Sequence, residues 1–223
     1  MDDDTRPTRQ QISDAIDPAG WCLILGAIYA EVPAPTLNAA AEAAALAVSA
    51  AGDDGQGHLT VDIRADRAVL RLQSADAGAV TGHDVRLAHT VSAALTAEGY
   101  RVEAGAVQAF EIAIDALDIP LVRPFWKAVT GYADEPGSEL NAALIDPHGR
   151  APAIWFQQMD APRPQRNRIH IDVDVPHGAA KARIDAALAA GGRLLSDAAA
   201  PAFWVLADPE GNEACICTWQ GRD

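Results

Sequence analysis

The sequence predicts an α+β protein in two parts: a mixed helix-and-strand domain, then a strand–helix–three-strand (βαβββ) module that occurs twice. Three observations carry this expectation. In NRIHIDVDVP, residues 167–176, Ile169, Ile171, Val173 and Val175 alternate with Arg168, His170, Asp172 and Asp174, the period of two that a strand with one buried face requires. The chain also repeats itself. FEIAID from Phe110 falls on IHIDVD from Ile169, so Glu111 matches His170, and Asp146-Pro147-His148-Gly149 falls on Asp208-Pro209-Glu210-Gly211; two anchors at nearly one spacing mark a duplicated supersecondary unit. The stretch before residue 104 reads helix, strand, helix, two strands, helix, in a chain of 223 residues that is 49% hydrophobic, enough to bury one large core or two small ones.

Composition narrows the function classes. A net charge of −14 and a pI near 4.7 leave no basic footprint for phosphate, which argues against nucleic acid as a partner. The acidity itself reads as solubility. The longest apolar run, residues 21–30, is too short to span a bilayer, and the N-terminal MDDDTRPTRQ is acidic and polar. No membrane partner and no secretory signal are therefore expected, and the cytoplasm is the default location. Cys22, Cys215 and Cys217 are too few for a disulfide framework, and two cysteines on one strand face do not readily pair.

Residues 1–10, charged and without apolar periodicity, are expected to form a disordered tail. Residues 11–16 read as a short helix ended before Pro18. Residues 21–30 read as one buried strand, stopped by Pro33 and Pro35, and residues 39–51 as an Ala-rich helix closed by Gly52. Residues 61–64 and 68–73 form a hairpin through Ala65-Asp66-Arg67, with Val61 and Val69 on its buried side. Thr81-Gly82-His83-Asp84 is a capping box for a helix ending near Gly99.

This order, with His58-Leu59-Thr60-Val61-Asp62-Ile63-Arg64 and then Ser74-Ala75-Asp76-Ala77-Gly78-Ala79-Val80-Thr81-Gly82-His83-Asp84, resembles the pterin-4a-carbinolamine dehydratase family over residues 11–103. That family carries two adjacent histidines before its hairpin strand and a third ahead of its last helix. His58 keeps the second position, while Gly57 and Ala75 occupy the other two. The resemblance implies a degenerate domain, since general acid–base dehydration needs positioned imidazoles. It would be kept for assembly, for dimerisation, or for part of a shared pocket. Retained dehydratase activity stays open as a further function class. Taken alone, His58 reads as a structural or surface histidine.

After a short join at residues 104–107, the second domain (107–223) contains the two modules. The first (107–160) reads as a strand at 107–114, a helix at 120–130 with Phe125, Trp126 and Val129 on its apolar side and Gly131 as its cap, then strands at 140–145 and 153–158. Residues 161–165 are a Pro-rich connector. The second module (167–223) reads as the alternating strand, a helix at 179–190 ended by Gly191-Gly192, and strands at 193–195, 202–206 and 213–218. With Pro124-Phe125-Trp126-Lys127-Ala128-Val129-Thr130-Gly131-Tyr132, the two D-P-x-G turns and Asn167-Arg168-Ile169-His170-Ile171-Asp172, this domain resembles the vicinal oxygen chelate superfamily, and within it the glyoxalase-like and bleomycin-resistance-like proteins. The resemblance implies that the paired modules form a cupped mixed sheet, and that fold hosts lyases, dioxygenases, epimerases and drug-binding proteins, so the resemblance speaks to fold before activity.

The resemblance implies a divalent ion held by one residue from the first strand and one from the last strand of each module. His170 and Glu111 take the first-strand places, and the last-strand places fall on Cys215 and near Gln157. This mixed set leaves the metal open among zinc, nickel, iron and manganese, with a metal-free cavity the favoured alternative. Such a cavity would have Glu111, Gln157, His170 and Asp172 as its polar floor, and Trp126, Trp155 and either Trp204 or Phe203 as walls. Cys215 joins it as a buried strand residue without an activating neighbour in sequence. In an enzyme, His170 would act as ligand or general base with Glu111 as partner carboxylate, on an oxygenated or carbonyl-bearing metabolite. The alternative is a ligand-sequestering protein of the drug-resistance type, without turnover. A homodimer is the default assembly.

Overall fold

Thr8 opens the first element. Its side chain accepts the Gln11 N–H at 3.2 Å, and the Gln11 side chain accepts the Thr8 N–H at 2.9 Å; this capping box starts α1 (Arg9–Ile16) inside the stretch expected to be a tail. The computed structural model describes residues 7–136, 143–162 and 169–221, so the rest of that expected tail lies outside the described residues. The apolar run expected as one strand is a hairpin of β1 (Cys22–Ile24) and β2 (Ala27–Pro33). It folds back at Leu25, which has a φ of 54°. Continuous hydrophobicity on both sides of a tight turn hides the reversal from a period-based reading.

The unit continues with α2 (Leu37–Ala51), the antiparallel pair β3 (Leu59–Arg64) and β4 (Arg67–Leu72), and α3 (Gly82–Ala97). Its four-stranded sheet runs β1-β2-β4-β3, antiparallel throughout. Ala68, Leu70 and Leu72 of β4 face the core with Ile12, Ile16, Trp21 and Leu95. Val61 packs partly against that core, but Val69 alternates onto the opposite, half-exposed face, because the residues at 68, 70 and 72 take the inner positions.

The contact pattern separates residues 1–109 from 110–223. In the second unit, β5 (Glu111–Ala116), α4 (Ile119–Thr130), β6 (Ala133–Asp134), β7 (Leu144–Ile145) and β8 (Ala153–Gln158) form the first module; β9 (Ile171–Asp174), α5 (Ala180–Ala189), β10 (Arg193–Ser196), β11 (Phe203–Ala207) and β12 (Glu213–Cys217) form the second. The sheets run β5-β8-β7-β6 and β10-β11-β12-β9. In each module the first strand pairs parallel with the last, which the intervening helix and hairpin make possible. Residues 107–110 carry no strand, so β5 starts later than the sequence suggests. The parts of the expected strands and connector at 140–142, 163–165 and 167–168 lie outside the described residues.

Both modules share one core, with Val122, Phe125, Trp126 and Ile154 from the first beside Ala187, Leu206, Ala214 and Ile216 from the second. Gly192 is required there, because a Cβ on it would run into the Phe125 ring. The D-P-x-G turns are held by their aspartates. Fully buried Asp208 accepts from the Glu210 N–H, the Asn212 N–H and side-chain amide, and the Trp126 indole N–H at 3.0 Å. Asp146 accepts from the N–H groups of His148, Arg150 and Ala151. Burial pushes its carboxyl upward, and those bonds outweigh burial and hold it below the usual aspartate range. Glu210 then accepts the N–H groups of Leu117 and Asp118 at 2.9 and 2.7 Å, tying the second module's turn to the start of α4.

Asp208→Ala should lower the stability of the second unit by about 2–4 kcal/mol, because it strands several buried donors at once. Urea unfolding followed by tryptophan fluorescence reads this as a lower midpoint with an unchanged slope.

Candidate functional site

The alternation that opens the second module puts Ile171 and Val173 against the shared core and leaves His170 and Asp172 half exposed on the other face. A cavity of about 1210 Å³ lies against that face, lined by both first strands. Glu111, Ile112 and Ala113 line it from β5, Ile169, His170 and Asp172 from the start of β9, and Glu210 and Glu213 from the turn before β12. Within it, His170 Nε2 stands 3.3 Å from Asp172 Oδ1.

The other residues expected at the site fall in different places. Trp126 reaches the cavity lining but is only 2% exposed, and its indole N–H is committed to Asp208; it is a core residue. Trp155, Gln157, Cys215, Phe203 and Trp204 are not among the lining residues. Trp204 packs against the core, and Trp155 is 38% exposed on β8.

Strand register shows why Gln157 stands apart. Asp172 pairs with Cys215, and Asp174 with Cys217; in the first module Ala113 pairs with Trp155, and Asp115 with Gln157. Since Glu111 corresponds to His170, the counterpart of Cys215 is Trp155 and that of Cys217 is Gln157. The inter-module set implied by the resemblance is therefore Glu111, Trp155, His170 and Cys215, and an indole is no metal ligand. The residues present do not fit a divalent ion shared between the modules.

They do gather within the second module. Donor atoms of His170, Asp172 and Cys215 all lie within 4.8 Å of one another, and among the described residues they are the His, Cys, Asp and Glu side chains close enough to share an ion. Glu111 is not one of them. Cys215 is buried, and burial, followed by the Asp172 carboxylate that accepts its hydrogen bond, pushes its thiol up to about 12. Sequence reasoning placed Asp172 in a pocket without linking it to Cys215. The link is a cross-strand register between β9 and β12, which spacing along the chain does not carry.

Comparison with known proteins bears on this unit. Residues 111–217 match the family described as a glyoxalase-like domain. No curated protein matches the chain. Among solved structures, a glyoxalase/bleomycin resistance protein/dioxygenase family enzyme from Burkholderia phytofirmans PsJN is 21% identical, with 48% of this chain and 95% of that one covered at a TM-score of 0.41. A glyoxalase-related enzyme from Fulvimarina pelagi is 17% identical, covering 50% and 88% at 0.41. The fosfomycin resistance protein FosX from Mesorhizobium loti is 8% identical, covering 49% and 89% at 0.41. Each of these likenesses spans about half of the present chain.

Outside residues 111–217, the first unit has a second polar cluster. His58 Nδ1 lies 2.8 Å from Oδ1 of fully buried Asp84, whose Oδ2 accepts the Thr81 N–H and hydroxyl at 2.7 Å. The capping box thus positions the carboxylate that orients His58. His83 stacks edge-on at 4.6 Å, its Nε2 2.9 Å from the Asp54 carbonyl oxygen. The capping box marks Asp84 in the sequence, but its bond to His58 joins residues 26 apart and no local spacing reveals it.

With a thiol near 12, Cys215 should resist iodoacetamide at pH 8 in the folded protein and react on unfolding. Asp172→Ala should speed its modification by removing the neighbouring negative charge; mass spectrometry of the Cys215 peptide over time checks both.

Proposed function

We propose that the glyoxalase-like domain takes an oxygenated or carbonyl-bearing small molecule into the cavity between its first strands, and acts on it there as an enzyme. The observation that supports this reading is His170, half exposed on the cavity wall with Asp172 3.3 Å from its Nε2. An imidazole beside a carboxylate can take a proton from a carbon next to a carbonyl and return it elsewhere on the product. Glu111, on the facing first strand, adds a polar contact for the ligand's oxygens when it carries a proton, or for its donors when it does not. The second reading is a binding protein that holds its ligand unchanged. It is favoured by the half-exposed state of both His170 and Asp172, since a general base works best where water is excluded.

A thermal-shift screen of the full chain against 2-oxoaldehydes, 2-hydroxy acids and catechols tests the site. A ligand at a hundredfold excess over its Kd should add about 2.7 kcal/mol to the domain that binds it, and this gain should shrink in Glu111→Ala and His170→Ala. Recovered ligand that is chemically altered selects the enzyme; unaltered ligand selects sequestration. A shift equally large in both variants sinks the cavity as the binding place.

For the first unit we infer a dehydratase-like module that has lost its chemistry and serves assembly, with the chain a homodimer in the cytoplasm. Its helix–two-strand–helix–two-strand–helix order supports the reading, and Gly57 and Ala75 stand where two imidazoles would be needed. Carbinolamine dehydration by the full chain should run at the buffer rate. A faster rate that His58→Ala abolishes would overturn the loss of activity. Sedimentation of the full chain as a dimer, and of a chain lacking residues 1–103 as a monomer, would support the assembly role.

A further inference from the structure

We propose that Trp155 determines the specificity of the cavity, as an indole platform that selects ligands carrying a planar aromatic ring beside their oxygenated group. The inference rests on the cavity reading and names the class of molecule the cavity would take. Register places the indole next to the cavity. Trp155 is directly paired with Ala113 in the parallel β5–β8 ladder, and residues paired in this way point to the same face of a sheet. Ala113 lines the cavity together with Glu111 and Asp115. The indole therefore stands one strand, about 4.8 Å, behind the cavity wall, with a methyl group between them. Ala113 is itself exposed, so the indole leaves the space above that methyl free for a flat group.

Core packing does not account for a tryptophan at this position. Trp155 is exposed while its strand neighbours Ile154 and Phe156 are buried. Trp21, Trp126 and Trp219 donate their indole N–H groups to Ser92, Asp208 and His177, whereas among the described residues no group accepts that of Trp155. It is available to a ligand oxygen. The rim points the same way. Phe110 and Ile169, which the repeat sets in equivalent positions, are 74% and 83% exposed, and both line the cavity. An opening edged by exposed apolar side chains fits a ligand with an apolar body. The indole face then favours a flat ring, which it can stack, over an aliphatic chain. The second module has no such platform, because Cys215, the counterpart of Trp155, is buried and bonded to Asp172. The two modules thus divide the ligand, with the ring over Ala113 and the oxygenated end toward His170.

The test uses the full chain labelled with fluorotryptophan and two neutral hydroxyketones, hydroxyacetophenone and hydroxyacetone, which differ in a phenyl ring against a methyl group. Loss of one fluorine resonance in Trp155→Phe assigns the Trp155 signal. In the labelled, unmutated chain, hydroxyacetophenone should shift that signal on titration and leave the signal of buried Trp21 in place. Hydroxyacetone should bind about tenfold more weakly. Trp155→Ala should weaken binding of the ring ketone by about tenfold and change that of hydroxyacetone by less than about twofold, while Trp155→Phe, which keeps a stacking face, should stay within about threefold of the unmutated chain. No binding of hydroxyacetophenone, equal affinity for the two ketones, or undiminished affinity for the ring ketone in Trp155→Ala would each overturn the platform. If hydroxyacetone binding depends on His170 while Trp155→Ala changes neither ketone, this inference falls and the cavity reading stands. If Trp155→Ala weakens the ring ketone while His170→Ala and Glu111→Ala do not, the cavity reading falls and the ring platform stands.

Discussion

The parallel pairing of β9 with β12 is the constraint on which the second unit's surface chemistry depends. A parallel pair cannot be closed by a tight turn; it needs a crossover, here supplied by α5 and the β10–β11 hairpin. Once β12 lies in register beside β9, the side-chain period decides the rest: Ile171, Val173, Ala214 and Ile216 turn into the core, and Asp172 faces the same way as Cys215. Register by one residue either way would invert both faces. What prevents the slip is Asp208, whose buried carboxylate gathers two backbone N–H groups, an amide and an indole and so fixes where β12 begins.

The same device works in both copies, yet the copies differ in what they hold together. Asp146 organises its turn through the backbone N–H groups of His148, Arg150 and Ala151. Asp208 reaches into the core to Trp126, and the next residue but one, Glu210, clamps the N–H groups before α4. The second turn therefore fastens the two modules to each other. Divergence at the site follows the same line. Ala113 and Trp155 stand in the first copy where the second has acid and thiol, on the face that the shared core does not use.

Much of this was legible in the sequence, for physical reasons that can be named. The βαβββ order followed from hydrophobic periods and from turn residues with few alternative uses, and the duplication followed from two anchors in the same order. The capping box at Thr81 was read correctly because its side chains bond locally. Readings failed where the answer lay in non-local geometry. The reversal at Leu25 sits inside an unbroken apolar run, β6 and β7 are only two residues each, and Val69 is apolar on the less buried face. The resemblance puts the first copy's counterpart of Cys215 near Gln157, whereas the ladder matches Trp155 to it. Sequence spacing does not reveal which extra residues between turn and strand are absorbed before pairing starts.

His58 and His170 make an instructive pair. Each imidazole has a carboxylate near it, but Asp84 is fully buried with its second oxygen committed to Thr81, whereas Asp172 is half exposed and shares its surroundings with a thiol. A buried carboxylate with all its bonds made holds its histidine in one orientation. An exposed carboxylate beside a buried thiol is different: burial and then that carboxylate's charge keep the thiol in its protonated form. The first arrangement is closed on itself, while the second leaves an imidazole and a carboxylate on a cavity wall. That difference, more than residue type, separates a structural histidine from one open to the cavity in this chain.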